Sequence, residues 1–334
     1  MNVLSANQQL GMIPRDESGI EIKYDSKKIN TYKIVKDGDY VIHLRSFQGG
    51  FAFSSLDGIC SPAYTILRPN SKFLCYSFLK EYFVSSRFIK SLKLVTFGLR
   101  DGKSIDVDLW LQTEFRIPSL NEQEKIIVFI NTIQKKINII KDKLNVLKKY
   151  KEGLCNYFFK IEENDHHQLK EYVNNYASQL LTKDIDHNIG EYPVYDASGS
   201  PYKNIDFYQQ DKDTISIIKY GSGCGRTFIS RGYHSILGTM TDLIPNQNVD
   251  VYFIYAFTLS KYFKSIVKKY IEIGTTPNLY YSDYSKAIIS NKALCSCKSI
   301  SIIINSIESK EKLLSNELKD LNVIKKNLLN KMFI

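Results

Sequence analysis

Two stretches of the sequence decide the fold. Residues 122–160 read EQEKIIVFINTIQKKINIIKDKLNVLKKYKEGLCNYFFK, and residues 296–334 read SCKSISIIINSIESKEKLLSNELKDLNVIKKNLLNKMFI. In both, apolar side chains recur at steps of three and four residues, the heptad pattern of a helix that packs lengthwise on another helix. This spacer-helix seam consists of Ile126, Ile130, Ile133, Ile137, Ile140, Leu144, Leu147 and Leu154, followed by Ile300, Ile304, Ile307, Leu314, Leu318, Leu321 and Leu328. We therefore predict two long helices that form an intramolecular coiled coil.

The two stretches are copies of one another. At an offset of 174 residues, 11 of the 39 aligned pairs are identical. The identities include Asn131 with Asn305, and Lys151 with Lys325 as the polar residue inside the seam. A heptad pattern alone would align the leucines but not the asparagines, so the chain contains an internal repeat.

The repeat extends into the segment before each helix. Asp39-Tyr40-Val41-Ile42 aligns with Asp213-Thr214-Ile215-Ser216, and Arg45 aligns with Lys219. Short β-branched and aromatic runs, broken by Gly, Asp and Ser, predict strands joined by tight turns. The opening of the second domain, from residue 161 onward, has no complete counterpart in the first, which leaves open whether the short first domain is natural, truncated or rearranged.

The order of these segments predicts a mixed α/β protein built twice from a domain and a helix. Segments 74–93 and 251–270 have helical spacing and follow the strand-rich regions. The predicted organisation is a first domain at 1–120, a central spacer helix at 121–160, a second domain at 161–295 and a C-terminal spacer helix at 296–334.

The composition is that of a folded protein with excess positive charge. Of 334 residues 43% are hydrophobic, and 45 basic against 35 acidic side chains give a net charge of +10. Such a composition excludes general disorder and favours a polyanionic partner. The sequence has neither a secretory signal nor a membrane-length apolar run, and its six cysteines are scattered, so we expect a cytoplasmic location with reduced thiols.

Most of the excess charge belongs to the predicted helices. Residues 121–160 carry 9 basic and 4 acidic side chains, and residues 296–334 carry 7 and 4, a joint net charge of +8. The first domain carries 16 basic and 12 acidic side chains, and the second carries 13 and 15. Any recognition by the domains must therefore depend on local loops more than on overall charge.

The sequence predicts no catalytic or metal site. It lacks the phosphate-binding P-loop and the Asn/Asp-Pro-Pro-Tyr/Phe tetrapeptide of amino-methyltransferases. Asp16, Glu21 and Lys23 faintly resemble the metal-binding set of restriction nucleases, but a solvated turn explains them better. Cys295 and Cys297 have no second cysteine pair, which disfavours a zinc site.

Polar glycine-rich loops recur at corresponding places in the two halves and are the candidate DNA-binding sites. Arg and Gln can bond base edges, while Gly lets backbone amides approach phosphates. An ordinary turn is the alternative for each loop alone, and the recurrence favours function. The candidate residues are Arg45, Ser46, Gln48, Gly49, Arg100 and Lys103 in the first half, and Lys219, Tyr220, Ser222, Arg226, Thr275, Thr276 and Asn278 in the second.

These residues resemble the specificity (S) subunit of type I restriction-modification systems over nearly the whole chain. Residues 117–126, IPSLNEQEKI, are similar to the family's entry into its central helix, and residues 147–159 and 324–333 to its helix endings. Gly58 to Tyr64 and Gly98 to Gly102 resemble one class of target recognition domain. Residues 192–199, with the loop 219–226, resemble another class.

The resemblance implies two mixed α/β target recognition domains, each reading half of a bipartite DNA sequence. It further implies that the two long helices pack antiparallel as a spacer, related by a pseudo-two-fold repeat, and bind two methyltransferase (M) subunits that use S-adenosylmethionine. Restriction (R) subunits would then cut DNA with ATP and magnesium, and the chain itself would be non-catalytic. Residues 290–295 depart from the family's pattern because they lack its Pro and Glu-Gln.

Two other interpretations remain open on the sequence. A stand-alone metal-dependent nuclease would use Asp16, Glu21 and Lys23. A coiled-coil adaptor without DNA specificity would use the helices alone.

Overall fold

Two compact units make up the chain. The computed structural model describes residues 2–7, 10–17, 26–42, 51–70, 72–97, 104–114, 117–271 and 277–332. One unit consists of Met1–Ile139 and Glu317–Ile334, and the other of Ile140–Asn316. Each unit contains part of both long helices. The mixed α/β class and the long central helix are confirmed, whereas the predicted domain boundaries stay a prediction.

The first unit combines short strands with three short helices and the start of the central helix. Its described elements are β1 (Leu4–Asn7), β2 (Gly11–Pro14), β3 (Lys33–Val35), β4 (Tyr40–Ile42), β5 (Phe51–Phe53), β6 (Gly58–Cys60), β7 (Thr65–Leu67), α1 (Tyr76–Phe83), α2 (Ser86–Leu92), β8 (Thr96–Phe97), β9 (Ser104–Ile105), α3 (Val107–Leu111) and α4 (Leu120–Phe158). All strand pairs among them are antiparallel.

Strand β4 is the centre of this unit because both of its faces are buried. It lies between β5 and β7. Successive side chains of a strand point to opposite faces. Tyr40 and Ile42 pack with the helices in a cluster that contains Phe83, Phe88 and Trp110. Val41 packs on the other face in a cluster formed with residues of β1, β2 and β6.

The second unit has larger sheets. Its elements are the end of α4, β10 (His167–Gln168), β11 (Val173–Ala177), β12 (Tyr192–Tyr195), β13 (Pro201–Ile205), β14 (Thr214–Ile218), β15 (Thr227–Ser230), β16 (Ser235–Ile236), β17 (Met240–Pro245), α5 (Val251–Leu259), α6 (Lys261–Ile271), α7 (Tyr281–Tyr284), β18 (Ile288–Ile289), α8 (Asn291–Cys295) and the start of α9 (Cys297–Met332). One sheet has the order β11-β17-β14-β15, and a second has the order β13-β12-β16.

Strand β14 is the counterpart of β4, and all five of its residues are buried. Ile215 and Ile217 belong to the main core with Phe253 and Phe257 of α5. Ser216, on the opposite face, lies within a buried polar network: its Oγ donates to Asp242 Oδ1 at 2.6 Å. Both strands thus have one face against the helices of their own unit.

The faces of these strands correct the alignment of the repeat by one residue. Tyr40 faces the helices of its unit, as Ile215 does, whereas Thr214 faces away from them. The equivalent of Tyr40 is therefore Ile215, at an offset of 175 and not 174. A strand alternates with a period of two, so a shift of one residue exchanges its faces.

The two predicted helical segments are each broken into two helices by a serine. Ser85 caps α2 by accepting the backbone N–H of Phe88, and Ser260 accepts the N–H of Phe263 at the start of α6. Serine favours such N-cap positions over helix interiors because its hydroxyl competes for backbone groups. Ser85 and Ser260 again differ by 175 positions.

Within each unit, α4 and α9 pack antiparallel along the predicted seam. All fifteen seam positions are buried or half-buried. In the second unit Lys151 donates to Glu308 Oε1 at 2.6 Å and to Glu311 Oε2 at 2.5 Å. In the first unit Lys136 pairs with Glu317 at 2.8 Å. No helix in the described part of the chain is both long and apolar enough to cross a lipid bilayer.

Lys151 is a buried cation held by two carboxylates. Burial by itself lowers the pKa of its ammonium, but the hydrogen bonds to Glu308 and Glu311 outweigh this effect and raise the pKa above the usual range. The pair of glutamates in turn depends on Lys151, because two carboxylates this close repel one another when no cation lies between them.

We expect Lys151→Met to lower the free energy of unfolding by about 3 kcal/mol, since it leaves two partly buried carboxylates without their cation. The triple variant Lys151→Met with Glu308→Leu and Glu311→Leu should recover most of the lost free energy of unfolding, because it removes the carboxylates together with the cation. Urea denaturation followed by circular dichroism measures both. A triple variant less stable than the single one would contradict the electrostatic explanation.

Candidate functional site

Five of the predicted DNA-binding residues come together in the second unit. Lys219, Tyr220, Ser222 and Arg226 belong to the turn between β14 and β15, which we call the glycine-rich loop (residues 219–226), and Asn278 lies beside it. The other candidates lie outside the described residues: Arg45, Ser46, Gln48, Gly49, Arg100, Lys103, Thr275 and Thr276.

The glycine-rich loop is closed by backbone hydrogen bonds. Ile218 N donates to Arg226 O at 3.1 Å, and Gly225 N donates to Ile218 O at 2.9 Å. Gly225 has a φ of +80°, and a Cβ at this position would lie 2.3 Å from Cγ1 of Val267 in α6. Only glycine fits there, so the loop is seated directly on α6.

A second segment, residues 277–280, pairs with the glycine-rich loop. Leu279 N donates to Lys219 O at 2.9 Å, and Gly221 N donates to Pro277 O at 3.3 Å. Tyr220 and Asn278 form an isolated antiparallel bridge. Leu279 is buried in the main core. Asn278, which is 52 or more residues from the glycine-rich loop in the sequence, thus lies against that loop in the fold.

Lys219 is a half-buried cation of this cluster. Burial lowers the pKa of its ammonium, which lies 5.5 Å from the centre of the Tyr220 ring. Among the described residues, no carboxylate forms an ion pair with it. Burial, together with a hydrogen bond to Tyr280, raises the pKa of the Tyr220 hydroxyl. Lys219 and the Tyr220 ring thus lie side by side at the start of the glycine-rich loop.

A third segment, which contains none of the predicted DNA-binding residues, lies beside the loop. It is the turn between β12 and β13, residues 196–200, which we call the serine turn. The Arg226 guanidinium donates from Nη2 to the carbonyl oxygen of Ala197 in this turn. Ser198 and Ser200 are exposed on it. The sequence contains no signal for this turn, because Arg226 bonds the backbone carbonyl of Ala197 and every residue type has such a carbonyl.

The exposed chemistry of the cluster suits a polyanion with hydrogen-bonding edges. It offers two cationic side chains, the Tyr220 and Tyr280 rings, and serine hydroxyls. Its two carboxylates, Asp196 and Asp283, are occupied as acceptors of the Ser198 and Tyr280 backbone N–H groups. Cations and hydroxyls on loops above a rigid sheet are the groups that contact phosphates and base edges.

Both long helices carry a second row of apolar side chains outside the predicted seam. We call it the outer stripe: Val128, Ile139 and Tyr150 on α4, and Ile302, Leu313 and Ile324 on α9. Each of these side chains is between 46% and 70% exposed. Members follow at intervals of 11 residues, which is three turns plus about 20°, so they share one face of their helix. Ile139 follows the seam residue Ile137 by two residues, a rotation of about 200° around the helix axis, so the outer stripe lies on the side of the helix away from the seam.

The outer stripe obeys the repeat. Each member on α9 is its counterpart on α4 plus 174, so the exposed face recurs like the buried one. The outer stripe could have been predicted from the sequence, because apolar residues recur every 11 residues in α4 and again in α9 at the offset of 174. Single exposed apolar side chains are common on protein surfaces. What distinguishes these six is their recurrence at the same offset in both helices.

The residues of the nuclease alternative are only partly described. Asp16 lies in a short 3-10 turn, Arg15–Glu17, and is exposed. Glu21 and Lys23 lie outside the described residues. In the parts of the chain that the structure describes, no three His, Cys, Asp or Glu side chains are grouped so as to hold a metal ion.

Comparison with known proteins gives matches at the level of structure. No protein-family model matches the sequence, and no curated protein matches it. The crystal structure of a type I restriction-modification S subunit from M. genitalium superposes with a TM-score of 0.65 at 18% identity. The match covers 91% of this chain and 84% of that one.

A second structure concerns the complex assembly and conformational transition of the type I restriction-modification system. It matches with a TM-score of 0.54 at 15% identity, over 90% of this chain and 83% of the other. The resemblance drawn from the sequence is confirmed by these structures: the chain has the fold of the specificity subunits of type I restriction-modification systems.

Proposed function

We propose that this chain is the DNA sequence-specificity subunit of a type I restriction-modification complex. The observation that carries the proposal is the match of 91% of the chain to an S subunit, joined to a loop cluster that offers cations and hydroxyls. Each of its two domains would read one half of a bipartite target. The chain would contribute recognition and scaffolding, and no catalysis.

In the second domain the glycine-rich loop and residues 277–280 would contact the DNA. Lys219 has no ion-pair partner in the described chain, so a phosphate or a guanine edge could take that place. The first domain would use the corresponding loops, with Arg45, Gln48, Arg100 and Lys103 as the candidates. Those loops lie outside the described residues and remain a prediction.

The long helices would hold the partner subunits. The duplicated outer stripe supports binding of two copies of one partner, which we propose are the methyltransferase subunits. S-adenosylmethionine would be bound by those subunits, and ATP and magnesium by restriction subunits that join the complex. The seam between α4 and α9 would keep the spacer rigid, as half-site spacing requires.

The test of the proposal is footprinting on DNA with and without the methyltransferase subunits of the same system. We expect protection of two short sequences, separated by an unprotected spacer of fixed length, when the partners are present. Substitutions in the glycine-rich loop should affect one half-site only. Protection of a single continuous short site, or metal-dependent cleavage by the chain alone, would contradict the proposal.

Lys219→Ala should weaken binding of one half-site by about 1–3 kcal/mol, the range for loss of a base-reading cation. Burial already disfavours the charged form of Lys219, so its removal should leave the melting temperature close to that of the unmodified protein. Fluorescence anisotropy with half-site variants measures the binding. Lys212→Ala, an exposed lysine of the same unit, is the matched control and should change neither quantity.

Ile139→Glu together with Leu313→Glu should abolish assembly with the methyltransferase subunits without unfolding the chain, because both side chains are already exposed. Size-exclusion chromatography coupled to light scattering measures the assembly. The control is Asn131→Glu with Asn305→Glu, an exposed pair on the same helices, rotated by about 80° around the helix axis from Ile139 and Leu313. Equal loss of assembly in both double variants would mean that added charge, and not the stripe, is responsible.

A further inference from the structure

Arg226 stands where two surface turns of the second unit meet. It closes the glycine-rich loop through its backbone, since Arg226 N donates to Gly223 O at 3.0 Å. Its side chain reaches in the other direction, and Nη2 donates to the carbonyl oxygen of Ala197 in the serine turn. One residue thus belongs to the first turn and holds the second.

The shape of the serine turn is set within the turn itself. Asp196 Oδ1 accepts the N–H of Ser198 at 2.8 Å, and the Asp196 carbonyl accepts the N–H of Gly199 at 3.0 Å. Ser200 N donates to Ser198 Oγ at 3.2 Å. These bonds fix the conformation of the turn, but they do not fix its place beside the glycine-rich loop.

Contacts outside the turn set that place, and two of them link it to the end of the glycine-rich loop. The first is the hydrogen bond from Arg226 to Ala197. The second is packing on Phe228: Gly199 has a φ of +81°, and a Cβ there would lie 3.3 Å from the Phe228 ring. Phe228 is two residues after Arg226 on β15, so both contacts come from the same stretch of chain.

The geometry points to a role for Arg226 beyond direct base reading. One of its five guanidinium N–H groups bonds the backbone carbonyl of Ala197, which ties the side chain to the serine turn. The serine turn that it holds presents Ser198 and Ser200 to solvent, beside the glycine-rich loop. The Ser198 oxygen accepts a bond from Ser200 N, which leaves its O–H free to donate.

We infer that Arg226 is a positioning residue, and that the serine turn is a third DNA-reading segment whose base contacts come from Ser198 and Ser200. The inference rests on the proposed function. It adds two specificity-determining residues and assigns Arg226 to the placement of the turn that carries them.

The positioning role can be tested first without DNA, by amide hydrogen exchange of the free chain. Arg226→Ala should speed exchange in residues 196–200, because the turn loses its side-chain hydrogen bond to the glycine-rich loop. Arg226→Lys should behave like the unmodified protein, since an ammonium can still donate to the Ala197 carbonyl. Lys212→Ala is the control for loss of a surface charge. Unchanged exchange in Arg226→Ala would overturn the positioning role, whatever the chain binds.

The reading role is tested by selecting preferred half-sites from random DNA with the chain in complex with its methyltransferase subunits. The double variant Ser198→Ala with Ser200→Ala should lose base preference at the same positions of the half-site as Arg226→Ala. Arg226→Ala should weaken DNA binding about tenfold or more. Adding the serine changes to Arg226→Ala should then have little further effect, whereas adding Lys219→Ala should have its full effect.

The outcomes separate the inference from the function on which it rests. Additive losses at different base positions would show that Arg226 reads a base itself and would overturn the inference alone. A complex of the unmodified chain without any sequence preference would overturn the proposed function, and the reading role with it. Loss of preference in Arg226→Lys equal to that in Arg226→Ala would likewise contradict positioning through a single hydrogen bond.

Discussion

The pairing of α4 with α9 is the constraint on which the rest of the structure depends. The end of α4 and the start of α9 are part of the core of the second unit. Cys155 and Phe159 pack there with Ile300 and Ile304, and the Phe159 ring lies 5.4 Å from that of Phe253. In the first unit, Ile127 of α4 clusters with Phe78 of α1 and Leu329 of α9. Neither unit would have a complete core without its share of the two helices.

Charge gives this pairing its register. An apolar seam of isoleucine and leucine tolerates sliding by a heptad, because each step places similar side chains opposite one another. Lys151 removes that freedom, since it is buried and meets Glu308 and Glu311 at hydrogen-bond distance. The polar interruption therefore costs desolvation but specifies one alignment of the helices.

The loops of the second unit are positioned by the sheet beneath them. β14 is buried along its whole length, and the glycine-rich loop begins where that strand ends. Gly225 brings the loop against α6, Leu279 anchors the neighbouring segment in the core, and Phe228 supports the serine turn. Rigid anchors of this kind let short exposed side chains hold fixed positions for recognition. The proposed reading surface is thus a property of three segments and not of one motif.

The sequence by itself determined the repeat, the two helical stretches and the residues of the seam, because heptad spacing and an offset of 174 are local, countable patterns. It also located the glycine-rich loop, since Gly, Ser and basic residues after a strand indicate an exposed turn. It could not determine the faces of the strands, where one residue of slip between 174 and 175 exchanges buried and exposed positions. Only the tertiary structure decided that Tyr40 corresponds to Ile215, that Ser85 and Ser260 divide the helices, and that Arg226 holds the serine turn. Those facts depend on contacts between residues distant in the chain, such as a guanidinium and the backbone carbonyl of Ala197, and no spacing in the sequence records them.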